Sequence, residues 1–348
     1  MTLTICNALA LQNVKVDLVL AKAEGELLHE VCSDINVINL NADRVSKSIF
    51  PLIRYLKRNR PQALITILPH VSVTALLACR IARLKIPIII SEHNTLSQSI
   101  SYSKTIRGRL LRLPMKLTYP WARMILAVSE GVADDLAQVL SFPRERITLV
   151  YNPVIDHNFF KQCDQEPTHP WFKPDQPPII LGAGRLTKAK DFQTLIRAFA
   201  IARRQTEIRL VIIGEGEERS KLEAMVRDMG LNLVVDLPGF VKNPYPLFNR
   251  AHVFVLSSIW EGLPTVLIEA LTCGTPVIST DCRSGPKEIL ENGRYGCLVP
   301  VGDHEKISAQ ILTYLAHPPQ TPGKESWQRY SLDTVLRNYK TVLAKVTD

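Results

Sequence analysis

The chain has 348 residues, 46% of them hydrophobic and 22% charged, with a formal net charge of +9. Its length fits two domains. Its mean hydropathy lies near zero, and no apolar run reaches the roughly 18 residues of a spanning helix. The chain start lacks the basic stretch and small-residue cleavage site of a secretory signal. The seven cysteines (6, 32, 79, 163, 273, 282 and 297) are odd in number and form no C-x-x-C pair, so free thiols are expected, with no disulfide framework and no structural zinc. These features predict a protein of the cytosol, soluble or held peripherally at the inner face of the cell membrane.

In chain order, residues 1–10 read as a helix that runs into a strand at 16–20. Further strand-like runs fall at 63–68, 87–90, 124–128 and 147–150, and Asp134-Asp135 reads as a helix face. The charge is uneven: residues 1–160 hold 19 Lys/Arg and 12 Asp/Glu, a net of +7, and residues 161–348 hold 23 and 21, a net of +2. The densest basic segment, 104–116, reaches Arg123 with no acid and with apolar residues interleaved. It reads either as a solvated helix face or as a contact for anionic lipid head groups or a lipid-linked diphosphate. No nucleic-acid-binding motif is present, and no nucleic-acid partner is expected.

After 151–154 the chain is rich in proline (167, 170, 174, 177 and 178), as expected of an interdomain linker. Strands then follow at 179–181, 210–213, 233–235, 253–256 and 276–279, with helical patterns at 191–203 and 217–229 between them. Short apolar strands alternating with helices predict an α/β protein with parallel, doubly wound sheets. The expected division is a domain at 1–165, a second at 166–330 and a terminal helix at 331–348.

The most informative stretch runs from Trp260 to Thr280. Glu261 and Glu269 are separated by seven residues, with Gly262-Leu263-Pro264 between them opening a short apolar helix. Pro264 suits the first helical position and Gly274 a helix stop. A helix start offers N–H groups to an anion, and a carboxylate a turn or two on can accept paired sugar hydroxyls. This element resembles that of retaining, nucleotide-sugar-dependent glycosyltransferases of the family 4 type. Gly182-Ala183-Gly184-Arg185 with Lys190, 211–217, Leu237-Pro238-Gly239-Phe240-Val241, 284–290 and 296–303 fit the same pattern. The resemblance covers roughly residues 3–345 and is densest over 178–303.

The resemblance implies the GT-B fold, two Rossmann-like domains facing a central cleft. Arg185 and Lys190, past a strand end where an α/β ligand crevice is expected, would neutralise a diphosphate leaving group. Alone, Gly182-Ala183-Gly184 fits any Rossmann-type turn and Arg185 an ordinary salt bridge. Glu269 would bind the donor ribose. Glu261 would approach the transferred sugar, either as nucleophile or by stabilising positive charge in same-face displacement. Backbone groups of Gly262, Leu263, Thr265 and Val266 would meet sugar hydroxyls and phosphate, with Gly184 at the phosphate turn. Phe240 and Val241 would hold the base, although a core place for Phe240 fits nearly as well. Glu288, with Gly285, would line the donor pocket. In Glu92-His93-Asn94, taken alone, the lone His is an ordinary structural residue; its place after a strand and its match to the family make His93 the group that reaches the donor sugar. With no D-x-D motif, metal-independent transfer is expected and no cofactor is needed.

The implied function is transfer of a sugar from a nucleotide diphosphate donor, UDP-linked by expectation, to a hydroxyl of a lipid-linked or surface polysaccharide precursor. The alternatives are a non-catalytic accessory subunit that binds nucleotide-sugar and another GT-B enzyme such as a sugar phosphorylase. The family pattern opens with a strand and glycine turn that this sequence lacks before residues 1–10, so apolar neighbours of that strand are expected to be exposed.

Overall fold

A computed structural model of the chain describes residues 2–102 and 110–347. It divides into two compact units, Met1–Pro153 with Leu332–Asp348, and Val154–Ser331. The first unit ends earlier than the boundary expected at 165, because residues 154–163 pack into the second. Phe159 lies 4.4 Å from the Tyr245 ring, centroid to centroid, and Asn249 Nδ2 donates to Cys163 O.

In the first unit, β1 (Asp17–Leu20) pairs in parallel with β2 (Asn36–Asn39). A separate four-stranded parallel sheet runs β3 (Leu64–Thr66), β4 (Ile88–Glu92), β5 (Met124–Ala127), β6 (Ile147–Leu149). Each of β1 and β3 is paired on one side, and all four β1 residues are half-buried. The sequence did not flag β2, since its Asn-Val-Ile-Asn is too polar to read as a buried strand. The Thr2–Ala10 helix places Ile5, Ala8 and Leu9 against the last helix, Leu332–Thr347, and against Ile89, Leu126 and Val150 of the sheet region. That last helix is amphipathic: Leu332, Val335, Leu336, Tyr339, Val342 and Val346 repeat at three- and four-residue steps and are all buried. Asp134 and Asp135 lie on the Glu130–Leu140 helix, where Asp135 is buried and accepts the Ser97 N–H at 2.9 Å.

The second unit has one six-stranded sheet. It comprises β7 (Ile179–Ala183), β8 (Arg209–Ile213), β9 (Val235–Gly239), β10 (Val253–Leu256), β11 (Val277–Thr280) and β12 (Cys297–Val299), in the order β12-β11-β10-β7-β8-β9, all parallel. The strand expected at 233–235 begins at Val235 instead, and Leu233 is 88% exposed. Because β9 is an edge strand, its Pro238 interrupts no central ladder. The core is built around the Phe192–Arg203 helix. Leu195, Ile196, Ala198 and Phe199 are fully buried there with Ile180, Leu210 and Ile212, and truncating Phe199 to Ala should cost about 3–5 kcal/mol. The order of strands reverses between β7 and β10. That reversal is a topological switch point, where parallel α/β sheets leave a crevice outside the carboxyl ends of their strands.

Candidate active site

The loops after β7 and β10 meet at this switch point. After β7, Gly184 has φ +145°, and a Cβ there would come 3.1 Å from Lys190 Cε, so its missing side chain lets the lysine stem lie along the turn. The β10 loop fixes the same turn from the other side. Ile259 N–H donates to Ala189 O at 2.8 Å, and Ser257 Oγ donates to Lys190 O at 2.8 Å. Lys190 Nζ then reaches Glu261 Oε1 at 2.6 Å, and Ser258 Oγ donates to that oxygen at 2.5 Å. The two ionic side chains are only 17% and 11% exposed. Removing one partner of such an enclosed pair strands the other charge, at about 3–5 kcal/mol.

The helix that follows spans Thr265–Thr272. Pro264, expected at its first position, is the residue just before it, with φ −71° and ψ 93°. Gly274, at φ +80°, follows the helix end as expected. Glu269 retains some exposure yet is packed so closely that burial raises its carboxyl to about 7, against the opposing pull of the Thr265 hydroxyl and the Lys190 charge. Lys190 therefore serves two carboxylates, bonding one and acting on the other through space.

The loop carrying Glu288 supports this element. Ser284 Oγ donates to Gly262 O at 2.9 Å. Gly285, at φ +92°, packs so tightly that a Cβ would sit 2.3 Å from Pro264 Cδ. Glu288 is half-buried, and its carbonyl accepts from Arg329 at 3.2 Å. Gly262, Thr265 and Val266 are half-buried and Leu263 is buried, while Arg185 is exposed.

Phe240 is 77% exposed, which removes the core reading of that residue. With Val241 it borders a cleft of about 960 Å³ within the second unit, lined also by His169, Asp236 and Asn243. Lys190, Glu261 and Glu269 are not among the residues that line that cleft.

His93 belongs to the first unit, at the end of β4. Its Nε2 lies 3.0 Å from Ser91 Oγ, and burial pushes the ring down to about 4, so it is neutral at pH 7. Its neighbour Glu92 is sealed inside. Tyr119 Oη donates to Glu92 Oε1, while burial raises the carboxyl to about 7 and raises the Tyr119 hydroxyl strongly. Asn94 is exposed. Sequence reasoning missed Ser258, although two serines directly after an apolar strand were a readable signal. It also missed Tyr119, which stands 27 positions from Glu92 and offered no signal. Residues 104–109 of the basic segment lie outside the described residues. Of the remainder, Arg112, Lys116 and Arg123 are exposed.

Two family profiles match the chain in tandem, "Glycosyltransferase Family 4" over residues 1–157 and "Glycosyl transferases group 1" over residues 165–331. The two halves are those of a family 4-type glycosyltransferase. A curated relative from Campylobacter jejuni, N-acetylgalactosamine-N,N'-diacetylbacillosaminyl-diphospho-undecaprenol 4-alpha-N-acetylgalactosaminyltransferase, is 32% identical over 232 residues, 66% of this chain and 61% of its own length. The chain thus spans less than two thirds of that relative. The amylovoran biosynthesis glycosyltransferase AmsD of Erwinia amylovora is 25% identical over 92% of this chain and 88% of its own. Among solved structures, Anabaena Alr3699/HepE in complex with UDP superposes with a TM-score of 0.78 at 19% identity, covering 99% of this chain and 95% of that one. At that identity the likeness establishes the fold. It is the two-domain α/β GT-B fold, shared also with a sucrose-phosphate synthase from Thermosynechococcus elongatus at a TM-score of 0.79.

Proposed function

We propose that this glycosyltransferase chain takes a sugar from a UDP-linked donor and transfers it, with retention and without a metal ion, to a hydroxyl of a lipid-linked or surface polysaccharide precursor. The observation that carries the reading is the enclosed Lys190–Glu261 pair at the switch point, with the raised carboxyl of Glu269 one helix away. A diphosphate arriving at the Thr265–Thr272 N-terminus would meet helix N–H groups and Lys190 together. Arg185, on the same turn, would supply the second cation that a divalent ion provides elsewhere. Glu269, once ionised, would accept the two ribose hydroxyls. Glu261, held by Lys190 and Ser258, would stabilise positive charge on the departing sugar or attack it. The neutral ring of His93 suits a hydrogen bond to a sugar hydroxyl rather than to phosphate. The UDP in the HepE complex and the diphospho-undecaprenol in the relative's name support the donor and acceptor classes.

The first unit suits an acceptor held at an anionic membrane. Residues 44–129 hold 15 Lys/Arg and one acid, Glu92, which is buried. On the Arg112–Thr118 helix, Leu113 and Leu117 are 63% and 61% exposed beside exposed Arg112 and Lys116. Each basic residue near an anionic surface adds about 1 kcal/mol. No described helix is long and apolar enough to cross a membrane, so the contact proposed is peripheral.

Thermal melting with UDP, GDP and ADP tests the donor reading. A nucleotide at about a hundred times its dissociation constant should add roughly 2.7 kcal/mol to the native state. A shift with UDP alone is expected, and a cooperative melt that no nucleotide moves would sink the proposal.

A further inference from the structure

Two of the seven cysteines, 110 positions apart in sequence, meet inside the second unit: Cys163 Sγ lies 3.2 Å from Cys273 Sγ. Neither position is loosely held. Cys163 ends the short Phe159–Cys163 helix and is buried, and its carbonyl accepts from Asn249 Nδ2 at 3.3 Å. Cys273 follows the last residue of the Thr265–Thr272 helix. Its N–H donates to Glu269 O at 3.0 Å, and its Sγ lies 3.7 Å from Tyr245 O. Tyr245 lies against the Phe159 ring; burial raises its hydroxyl, and the nearby Glu269 charge adds to that. Glu269, Tyr245, Cys163 and Cys273 are thus one packed cluster. The pair is a covalent bond short of joining the segment that begins the second unit to the helix that carries Glu269.

We propose that Cys163 and Cys273 are an oxidation site whose disulfide draws in the end of the Glu269 helix and weakens donor-nucleotide binding. With hydrogen peroxide as oxidant, one thiolate attacks a peroxide oxygen, giving a sulfenic acid and one water. The other thiol then attacks that sulfur, forming the S–S bond and releasing a second water. The two thiols lose two electrons and two protons in all, and the peroxide is reduced to two waters. Bond formation brings the sulfurs from 3.2 Å to about 2.05 Å. A movement of that size in a close-packed interior is passed on rather than absorbed, and the Glu269 carbonyl bonded to Cys273 N–H is the first group it reaches. The Cys273 thiol is raised by its sulfur contact and by burial, so little thiolate exists at neutral pH. Cys273 should therefore be slow to attack mild oxidants, and the bond should form under sustained peroxide. A thiol reductant reverses the bond.

The effect on binding rests on the donor-site reading of Glu269; formation of the bond does not. The full chain is exposed to hydrogen peroxide, its remaining thiols are alkylated, and the digest is examined by mass spectrometry. A peptide joining Cys163 to Cys273, absent from Cys163→Ser and Cys273→Ser and abolished by dithiothreitol, is expected. Two separately alkylated cysteines after oxidation would overturn the site. UDP affinity should fall about five- to tenfold on oxidation and return on reduction, and a Cys163→Ser/Cys273→Ser double variant should not respond. An oxidised, cross-linked chain that binds UDP as the reduced one does would overturn the switch. Were the reduced chain itself not to bind UDP, the donor reading would fail alone. The cross-linked form would then be recognised by its higher melting temperature.

Discussion

Both units place an acid at the carboxyl end of a parallel strand, and they treat it in opposite ways. Glu92, at the end of β4, is sealed under the Tyr119 hydroxyl beside a neutral His93. Glu261, past β10, is paired with Lys190 and Ser258 and keeps contact with a second acid through that lysine. The first arrangement neutralises its groups, and the second organises charge. A site for an anionic diphosphate needs the second kind; a site for neutral hydroxyls is served by the first.

The sharpest way to break this contrast is to remove the lysine. Lys190→Ala should lower transfer about 10²–10³-fold, the loss typical of a preorganised charge-stabilising group. It should also destabilise the fold by taking the cation from Glu261 while the carboxylate stays enclosed. Adding Glu261→Gln should recover much of the stability, read by thermal melting, and none of the transfer. Recovery of both would reduce Lys190 to a structural counter-ion.

Much of this second region was legible in the sequence, because its parts are local. The helix from Thr265, its stop near Gly274 and the glycine turn at 184 each follow from a few adjacent residues. The pairing of Lys190 with Glu261 did not, since it depends on β7 and β10 becoming neighbours, and sequence reasoning had turned both residues toward ligand. The same gap explains Tyr119 over Glu92 and Cys163 against Cys273. Strand β9 was misplaced for another reason: Leu233 and Val234 looked like strand residues, but Leu233 lies on the surface and the edge strand tolerates the later Pro238. Phe240 was ambiguous because composition cannot tell a core aromatic from an exposed one.

Next in size is the pH dependence of donor binding. Only ionised Glu269 can accept two hydroxyl protons, and its carboxyl titrates at about 7. UDP affinity should therefore rise about tenfold between roughly pH 6 and pH 8. Glu269→Gln should bind about ten- to a hundredfold more weakly and lose the dependence. Stability moves the other way. A carboxyl raised above its unfolded value of about 4.3 contributes fully below that pH, and its contribution is lost as pH rises through 7. Calorimetric titration with UDP across this range checks the first sign, and melting of the unliganded chain the second.

His93 should give a smaller effect of a different kind. His93→Ala should lower transfer about tenfold, the value of one good hydrogen bond, while UDP affinity stays within about twofold. Equal losses of both would place His93 on the nucleotide. Its ring sits at about 4 in the folded chain, below the unfolded value of about 6.5. The stability it contributes is complete above that unfolded value and is lost as pH falls toward 4, opposite in sign to Glu269.

The smallest expected effect on donor binding, none, tests whether the first unit's acid is structural. Tyr119→Phe removes the hydroxyl that lies on Glu92 and fills almost the same volume, so it isolates one hydrogen bond. At pH 5 Glu92 is protonated in the folded chain, because its carboxyl sits at about 7, and the loss should be about 1 kcal/mol. At pH 8 the buried group must ionise without its donor, and the loss should grow toward about 3 kcal/mol, the range for hydrogen bonds to charged groups. The widening follows from the sign of the shift: burial raises Glu92, Tyr119 opposes it, and removing Tyr119 lifts the carboxyl further from its unfolded value. Melting at the two pH values reads the difference directly. A UDP affinity untouched by the substitution would keep Glu92 on the structural side of the comparison, whereas a loss there would join it to the donor site.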